Sequence, residues 1–223
     1  MTNNNSTEKV LHAESKKLFL IFGGIGGGMA IPPFEFFNSA RIINENKIFI
    51  RDLNQCYYQA GLAGISNDIN TTVDYLRFEI NQIDHQDLYF IGNCAGGFAA
   101  IMFAALLNYR DVIAYSPLTF IDPFNRIRFR DFRNTKKKII TYVRTLMKRK
   151  VYDLKPLLKK SHQKMNIHIF VGTGFRADYI HSYRLADIQG VTIHEIKTDT
   201  HNVVKLLRDQ GKLAQTLRGD YQD

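Results

Sequence analysis

Six short runs of apolar residues recur along the chain: Leu18–Phe22, Lys47–Arg51, Leu88–Ile91, Asp111–Tyr115, Asn166–Val171 and Val191–Ile196. The first five are almost continuously apolar, as strands covered on both faces are, and the last alternates, as an edge strand does. Between them lie helical patterns. Ser66–Ile83 carries Ile69, Val73, Leu76 and Ile80 on one face, Phe98–Leu107 is apolar all round, and Val203 to about Leu217 closes the chain. A further helix is expected from Phe34 to about Ile43, after the stop at Pro32-Pro33. Lys136–Lys150 places Ile139, Ile140, Val143, Leu146 and Met147 on one stripe with cations around the rest, which predicts an amphipathic helix. Strands alternating with helices predict an α/β fold, a mostly parallel, doubly wound sheet of about six strands with helices on both faces. Met1–Ser15 is polar and reads as a disordered tail, leaving residues 16–223 as one domain.

Two turns within this pattern carry chemistry. Gly92-Asn93-Cys94-Ala95-Gly96 joins a strand directly to a helix with Gly-x-Cys-x-Gly spacing, a turn so sharp that side chains at 92 and 96 would collide with its neighbours. It leaves Cys94 at a helix N-terminus, where backbone N–H groups and the macrodipole favour a thiolate. The second turn, Gly23-Gly24-Ile25-Gly26-Gly27-Gly28, follows the first apolar run. It fails the dinucleotide template because Met29 stands where a small residue is needed, and it fails the P-loop template because no Gly-Lys-Ser/Thr follows. Its alternative task is to bring an N–H of Gly24 or Ile25 beside that of Ala95, making an oxyanion hole.

A thiol nucleophile needs a base, and the base an orienting acid. Downstream, Asp178 follows the strand at 166–171 and His201 follows the last strand, giving the order Cys94, Asp178, His201. Asp199 and Asp187 are rival acids, Asp199 being only two residues from His201. Arg51, Asp52 and Tyr57, after the strand at 47–51, sit where α/β sheets bind ligands and are candidate substrate contacts, with structural ion pairing or packing the competing reading. The other histidines fit no such slot, no zinc-ligand spacing occurs, and neither metal nor cofactor is expected.

From Leu18 to the end the chain resembles the α/β-hydrolase superfamily, on the elbow at 92–96, the glycine loop at 23–28, Asp178 and His201. Ile31-Pro32-Pro33-Phe34-Glu35-Phe36, Arg51-Asp52-Leu53, Ser116-Pro117-Leu118-Thr119-Phe120, His201-Asn202-Val203-Val204 and Leu207-Arg208-Asp209 resemble a bacterial group of hydrolase-like proteins without an assigned substrate. The elbow cysteine, in place of the usual serine, is similar to dienelactone hydrolases at that motif alone, so their substrate is not carried over. The resemblance implies the α/β-hydrolase fold, a Cys-His-Asp triad and an acyl-enzyme intermediate, hence hydrolysis or acyl transfer on an ester or thioester.

Charge changes the picture at one place. The chain carries +9, yet Phe124–Met165 holds fifteen Lys or Arg against Asp131 and Asp153, a net +13, so the rest is mildly acidic. This basic stretch, 123–165, falls where the superfamily inserts its lid. A cationic lid suggests a phosphate-bearing or acidic partner such as acyl-CoA or acyl carrier protein. Nucleic acid is disfavoured because aromatic residues are thin in the stretch. The competing reading is a hydrolase-like scaffold without catalysis whose basic stretch binds an anionic partner. The polar start, lacking a signal-peptide core, with two cysteines and no apolar run long enough to span a bilayer, reads as a cytoplasmic protein.

Overall fold

The computed structural model describes residues 5–25, 43–161, 163–219 and 221. Seven strands form one sheet in the order β1-β3-β2-β4-β5-β6-β7. They are β1 (Thr7–Val10), β2 (Lys17–Phe22), β3 (Asn46–Ile50), β4 (Asp87–Asn93), β5 (Asp111–Tyr115), β6 (Asn166–Gly172) and β7 (Val191–Ile196). All neighbours are parallel except β1, which runs antiparallel to β3 with Thr7 opposite Ile50. The stretch expected to be a tail therefore contributes an edge strand at 7–10. Thr-Glu-Lys-Val offers little apolar signal, and its place is fixed by ladder hydrogen bonds and by the backbone bond from Arg51 N–H to Ser6 O.

Alternate residues of the central strands feed two cores. Leu18, Leu20, Phe22, Phe90, Val112 and Ile169 face α1 (Ile69–Asn81), α2 (Ala95–Leu107) and α5 (Leu154–Lys159). Phe19, Ile21, Ile91, Ile113, Tyr115 and Phe170 face α7 (Val203–Asp209) and α8 (Leu213–Arg218). The closing helix is thus two helices. Gly211 between them has φ +73°, and the N–H groups of Gly211 and Lys212 turn back to Arg208 and Leu207 carbonyls, ending α7 in the left-handed manner that glycine favours.

Three helices connect β5 to β6: α3 (Pro123–Phe129), α4 (Thr135–Arg144) and α5. Here the structure shortens the amphipathic helix expected over 136–150 and turns its aliphatic stripe outward. Helix α4 stops at Arg144, and the residues it buries are Lys138, Thr141 and, just beyond its end, Thr145. Ile139, Ile140, Val143, Leu146 and Met147 are exposed, Met147 by 94%. Polar residues can occupy the inner side because each has a partner. Lys138 reaches Asp131, while the Thr141 and Thr145 hydroxyls donate to the carbonyls four residues earlier, at 2.8 and 2.7 Å. A further helix, α6 (Arg176–Tyr183), follows β6 and has no apolar stripe that announces it. The helix expected over 34–43 and the glycine loop beyond Ile25 lie outside the described residues. Among the described residues no helix is long and apolar enough to cross a membrane.

Candidate functional site

Strand β4 ends at Asn93 and α2 begins at Ala95, so Cys94 alone makes the turn. It does so with φ +54° and ψ −115°, a conformation uncommon for a residue with a side chain. The neighbours hold it there: Cys94 N–H donates to Tyr115 O at 3.0 Å, and Cys94 O accepts from Leu118 N–H at 3.1 Å. The flanking glycines leave room for the turn. A Cβ on Gly92 would lie 2.1 Å from Gly96 O, and one on Gly96 would lie 2.1 Å from Phe22 O. Behind the turn α2 is apolar on every side and buried over nearly its whole length. Each of its larger side chains contributes roughly 1.5–3 kcal/mol by leaving water.

Asp178 stands in the first turn of α6, after β6, and is buried. His201 follows β7, and its Nδ1–H donates to Asp178 Oδ2 at 2.5 Å. That bond, with the nearness of Cys94, raises the His201 pKa to about 10 against the opposing effect of burial. The structure thus brings His201 and Asp178 together at the carboxyl edge of the sheet, with Nδ1 on the acid and Cys94 near the ring. The rival acids are elsewhere. Asp187 pairs with Lys155 at the surface, and Asp199 lies against Gly174.

Asp178 has a second partner that the sequence reading did not single out. Its Oδ1 accepts from Arg133 at 2.9 Å, and Arg133 Nε donates to Asp131 Oδ1 at 2.8 Å. Asp131 Oδ2 in turn meets Lys138 Nζ at 3.4 Å and His181 Nε2 at 3.1 Å. Burial works to raise the Asp131 pKa, but the His181 and Arg133 hydrogen bonds and the Lys138 charge hold it far below the carboxylate range. Burial lowers Lys138 to about 8 against the pull of Asp131. His181 is buried and lowered to about 4, first by desolvation. Its Nδ1 accepts from Thr119 N–H at 2.9 Å, so the ring is neutral and gives its Nε2 proton to Asp131. No spacing rule would have found Asp131, Arg133, Lys138 and His181. The one signal was acidity out of place, since Asp131 is one of only two carboxylates in the basic stretch.

The candidate substrate contacts divide. Arg51 is buried and its Nε donates to Asn5 O at 2.8 Å, which holds the N-terminal segment against β3. Asp52 is fully buried and accepts from the N–H groups of Cys56 and Tyr58 at 2.7 and 2.9 Å; burial raises its pKa to about 6. These bonds are what the competing reading of Arg51 and Asp52 as structural residues expects. The loop Asp52 organises holds Gln55, Tyr57 and Tyr58 at positive φ. Tyr57 is buried, and its hydroxyl has no hydrogen-bond partner among the described residues. Desolvation, then the nearness of Cys94 and Asp131, pushes its pKa up, so the phenol keeps its proton beside the thiol.

Of the oxyanion candidates, Ala95 opens α2, where N–H groups have no acceptor within the helix. Gly23 N–H is committed to Ile50 O at 2.8 Å, and Tyr58 Oη donates to Gly23 O at 2.8 Å. A groove of about 870 Å³ runs between Leu53–Gln55 and α4, with Lys136, Lys137, Ile140 and Arg144 on its wall. Among the described residues no cluster of three His, Cys, Asp or Glu could hold a metal ion.

No protein-family model matches the chain, and no curated protein matches it. Solved structures do. The capsule O-acetyltransferase of Neisseria meningitidis serogroup A aligns with TM-score 0.70 at 15% identity, over 95% of this chain and 92% of that one. A histidine-to-alanine mutant of the same enzyme, in complex with CoA, aligns with TM-score 0.66 at 16% identity, over 94% and 91%. The fluorophosphonate-binding serine hydrolase FphF of Staphylococcus aureus, substrate bound, gives 0.66 at 14% identity, over 96% and 91%. An alpha/beta hydrolase from a Medee basin deep-sea metagenome library gives 0.59 at 11%, over 97% and 94%. At these identities the likeness is one of fold, and the chain has the α/β-hydrolase-like fold.

Proposed function

We propose that this protein is an acyl-transfer enzyme that moves an acyl group from an ester or thioester onto Cys94 and then to an alcohol, an amine or water. The observation that carries the reading is the hydrogen bond between His201 and buried Asp178 beside Cys94 at the strand-to-helix turn. His201 stands beside the sulfur as its proton acceptor and later proton donor. The thiolate attacks the acyl carbonyl carbon, and the oxygen that gains the charge is met by the N–H of Ala95 and one from Gly24 or Ile25. The C–O or C–S bond then breaks, and His201 Nε2–H protonates the leaving alcohol or thiol. In the second half the now neutral imidazole takes a proton from the acceptor as it attacks acyl-Cys94, and the thiolate leaves. Asp178 keeps Nδ1 protonated throughout. The Tyr57 phenol donates to a substrate oxygen near the sulfur.

Cysteine suits transfer, because acyl-Cys94 is a thioester. Its formation from an acyl thioester is nearly balanced in energy, and its onward reaction with an oxygen or nitrogen nucleophile runs downhill. The CoA complex of the O-acetyltransferase neighbour supports an acyl-CoA donor, and the groove lined by Lys136, Lys137 and Arg144 supplies cations for its phosphates.

Intact-protein mass spectrometry tests the proposal, after brief exposure to acetyl-CoA, longer acyl-CoAs and activated phenyl esters. Wild type should gain the mass of one acyl group, Cys94→Ala none, and His201→Ala should acylate about 10²–10⁴-fold more slowly. An adduct or turnover that survives in Cys94→Ala ends the proposal. No adduct with any donor favours the competing reading of a scaffold without catalysis.

A further inference from the structure

Helix α4 and the turn after it point their aliphatic side away from the protein. Val143 is 70% exposed, Met147 94%, and Ile139 and Leu146 are also open to solvent. Leaving such side chains in water is unfavourable, and their spacing along one stripe makes the exposure contiguous rather than scattered. The same surface is positively charged. Between Phe132 and Tyr152 there is no Asp or Glu, and Lys136, Arg144, Lys148, Arg149 and Lys150 flank the stripe. None of these five is ion-paired to a carboxylate among the described residues. Four of them donate instead to uncharged oxygens and keep their charge: Arg144 to Asn54 O, Lys148 to Asn67 O, Arg149 to Asn70 Oδ1 and Lys150 to Leu146 O. These bonds and the Lys138–Asp131 pair beneath hold the helix in place with its aliphatic side outward.

Aliphatic side chains beside cations, without carboxylates, match one kind of surface well. Nucleic acid offers phosphates but gives branched aliphatics nothing to stack on. A bilayer with anionic headgroups offers both an acyl phase and a layer of negative charge, and helices that lie in that interface combine these two residue classes. We propose that α4 and the turn after it dock the protein on anionic lipid bilayers, with Ile139, Val143, Leu146 and Met147 entering the acyl boundary and the flanking Lys and Arg meeting headgroup phosphates. This does not depend on the chemistry proposed for Cys94.

Co-sedimentation of the full chain with phosphatidylcholine vesicles, with and without phosphatidylglycerol, tests it. The protein should pellet with the anionic vesicles at low salt and not with phosphatidylcholine alone. The double variant V143D/M147D should lower the bound fraction by about tenfold or more, and K136E/K150E by about tenfold. All four positions are exposed, so thermal melts of the variants should match wild type. Three results would each overturn the proposal. These are no binding to phosphatidylglycerol vesicles at low salt, undiminished binding by V143D/M147D, or a wild-type oligomer in sedimentation velocity that V143D/M147D dissociates, which would make a second copy the occupant.

Discussion

Helices α2 and α4 solve the same problem in opposite ways. Helix α2 buries Phe98, Ile101, Met102 and Phe103 and has no charged residue, so transfer from water holds it against the sheet from every side. Helix α4 buries Lys138 and Thr141 and leaves its aliphatics outside. What fixes α4 is a set of directional bonds converging on Asp131: from His181, from Arg133 and from Lys138. The first helix depends on how its side chains fill the space around it. The second depends on each partner, because a buried charge whose counter-charge is lost has no substitute. The proposed chemistry lies where the two meet: Cys94 stands at the start of α2, and Asp178, hydrogen-bonded to His201, is braced by Arg133 from the α4 side.

The largest effect expected from this contrast is at Asp131. Asp131→Ala leaves Lys138 and Arg133 facing each other without their carboxylate and should cost about 3–5 kcal/mol in urea unfolding. An unfolding midpoint within error of wild type would show that α4 is not held by charge. On the other side, the sensitive feature is space. Gly92→Ala puts a Cβ 2.1 Å from Gly96 O and 2.5 Å from Gly97 N, both main-chain atoms that move only with the start of α2. A loss of roughly 1–3 kcal/mol is expected, together with a displaced Cys94 that acylates poorly. If Gly92→Ala acylates like wild type, the tight turn does not position the sulfur.

The same contrast explains what could be read from the chain. Burial by apolar surface leaves a periodic trace, so six strands and α2 were visible, and the Gly-x-Cys-x-Gly turn stood out between them. Asp178 and His201 were legible through their order after successive strands, since topology brings strand ends to one edge whatever the intervening sequence. The orientation of α4 was not. Its periodicity is real, but which side turns inward was decided by Asp131 and by hydroxyls that satisfy themselves against their own helix, and neither carries a period. Edge strand β1 was missed for a related reason: Thr7–Val10 is placed by backbone bonds that any residues could make.

His201 gives the smallest effect, and it tests whether the charge network reaches the α2 side. Its folded pKa is about 10, above its ordinary 6.5, because Asp178 and then Cys94 bind the proton. A group raised in this way contributes stability that is fully present below about pH 6.5 and fades as pH climbs to about 10, where the folded protein also releases the proton. Wild type should therefore lose stability relative to His201→Gln between pH 6.5 and 10, read as converging urea midpoints. The effect should stay well below that of Asp131→Ala, since the His201 side chain is 36% exposed and solvent screens the pair. A midpoint difference that stays flat across this window would mean that Asp178 is neutralised by Arg133 alone and that His201 does not share its charge. The buried network would then end at Arg133, and Cys94 would depend on the packing of α2 and not on the bonds that hold α4.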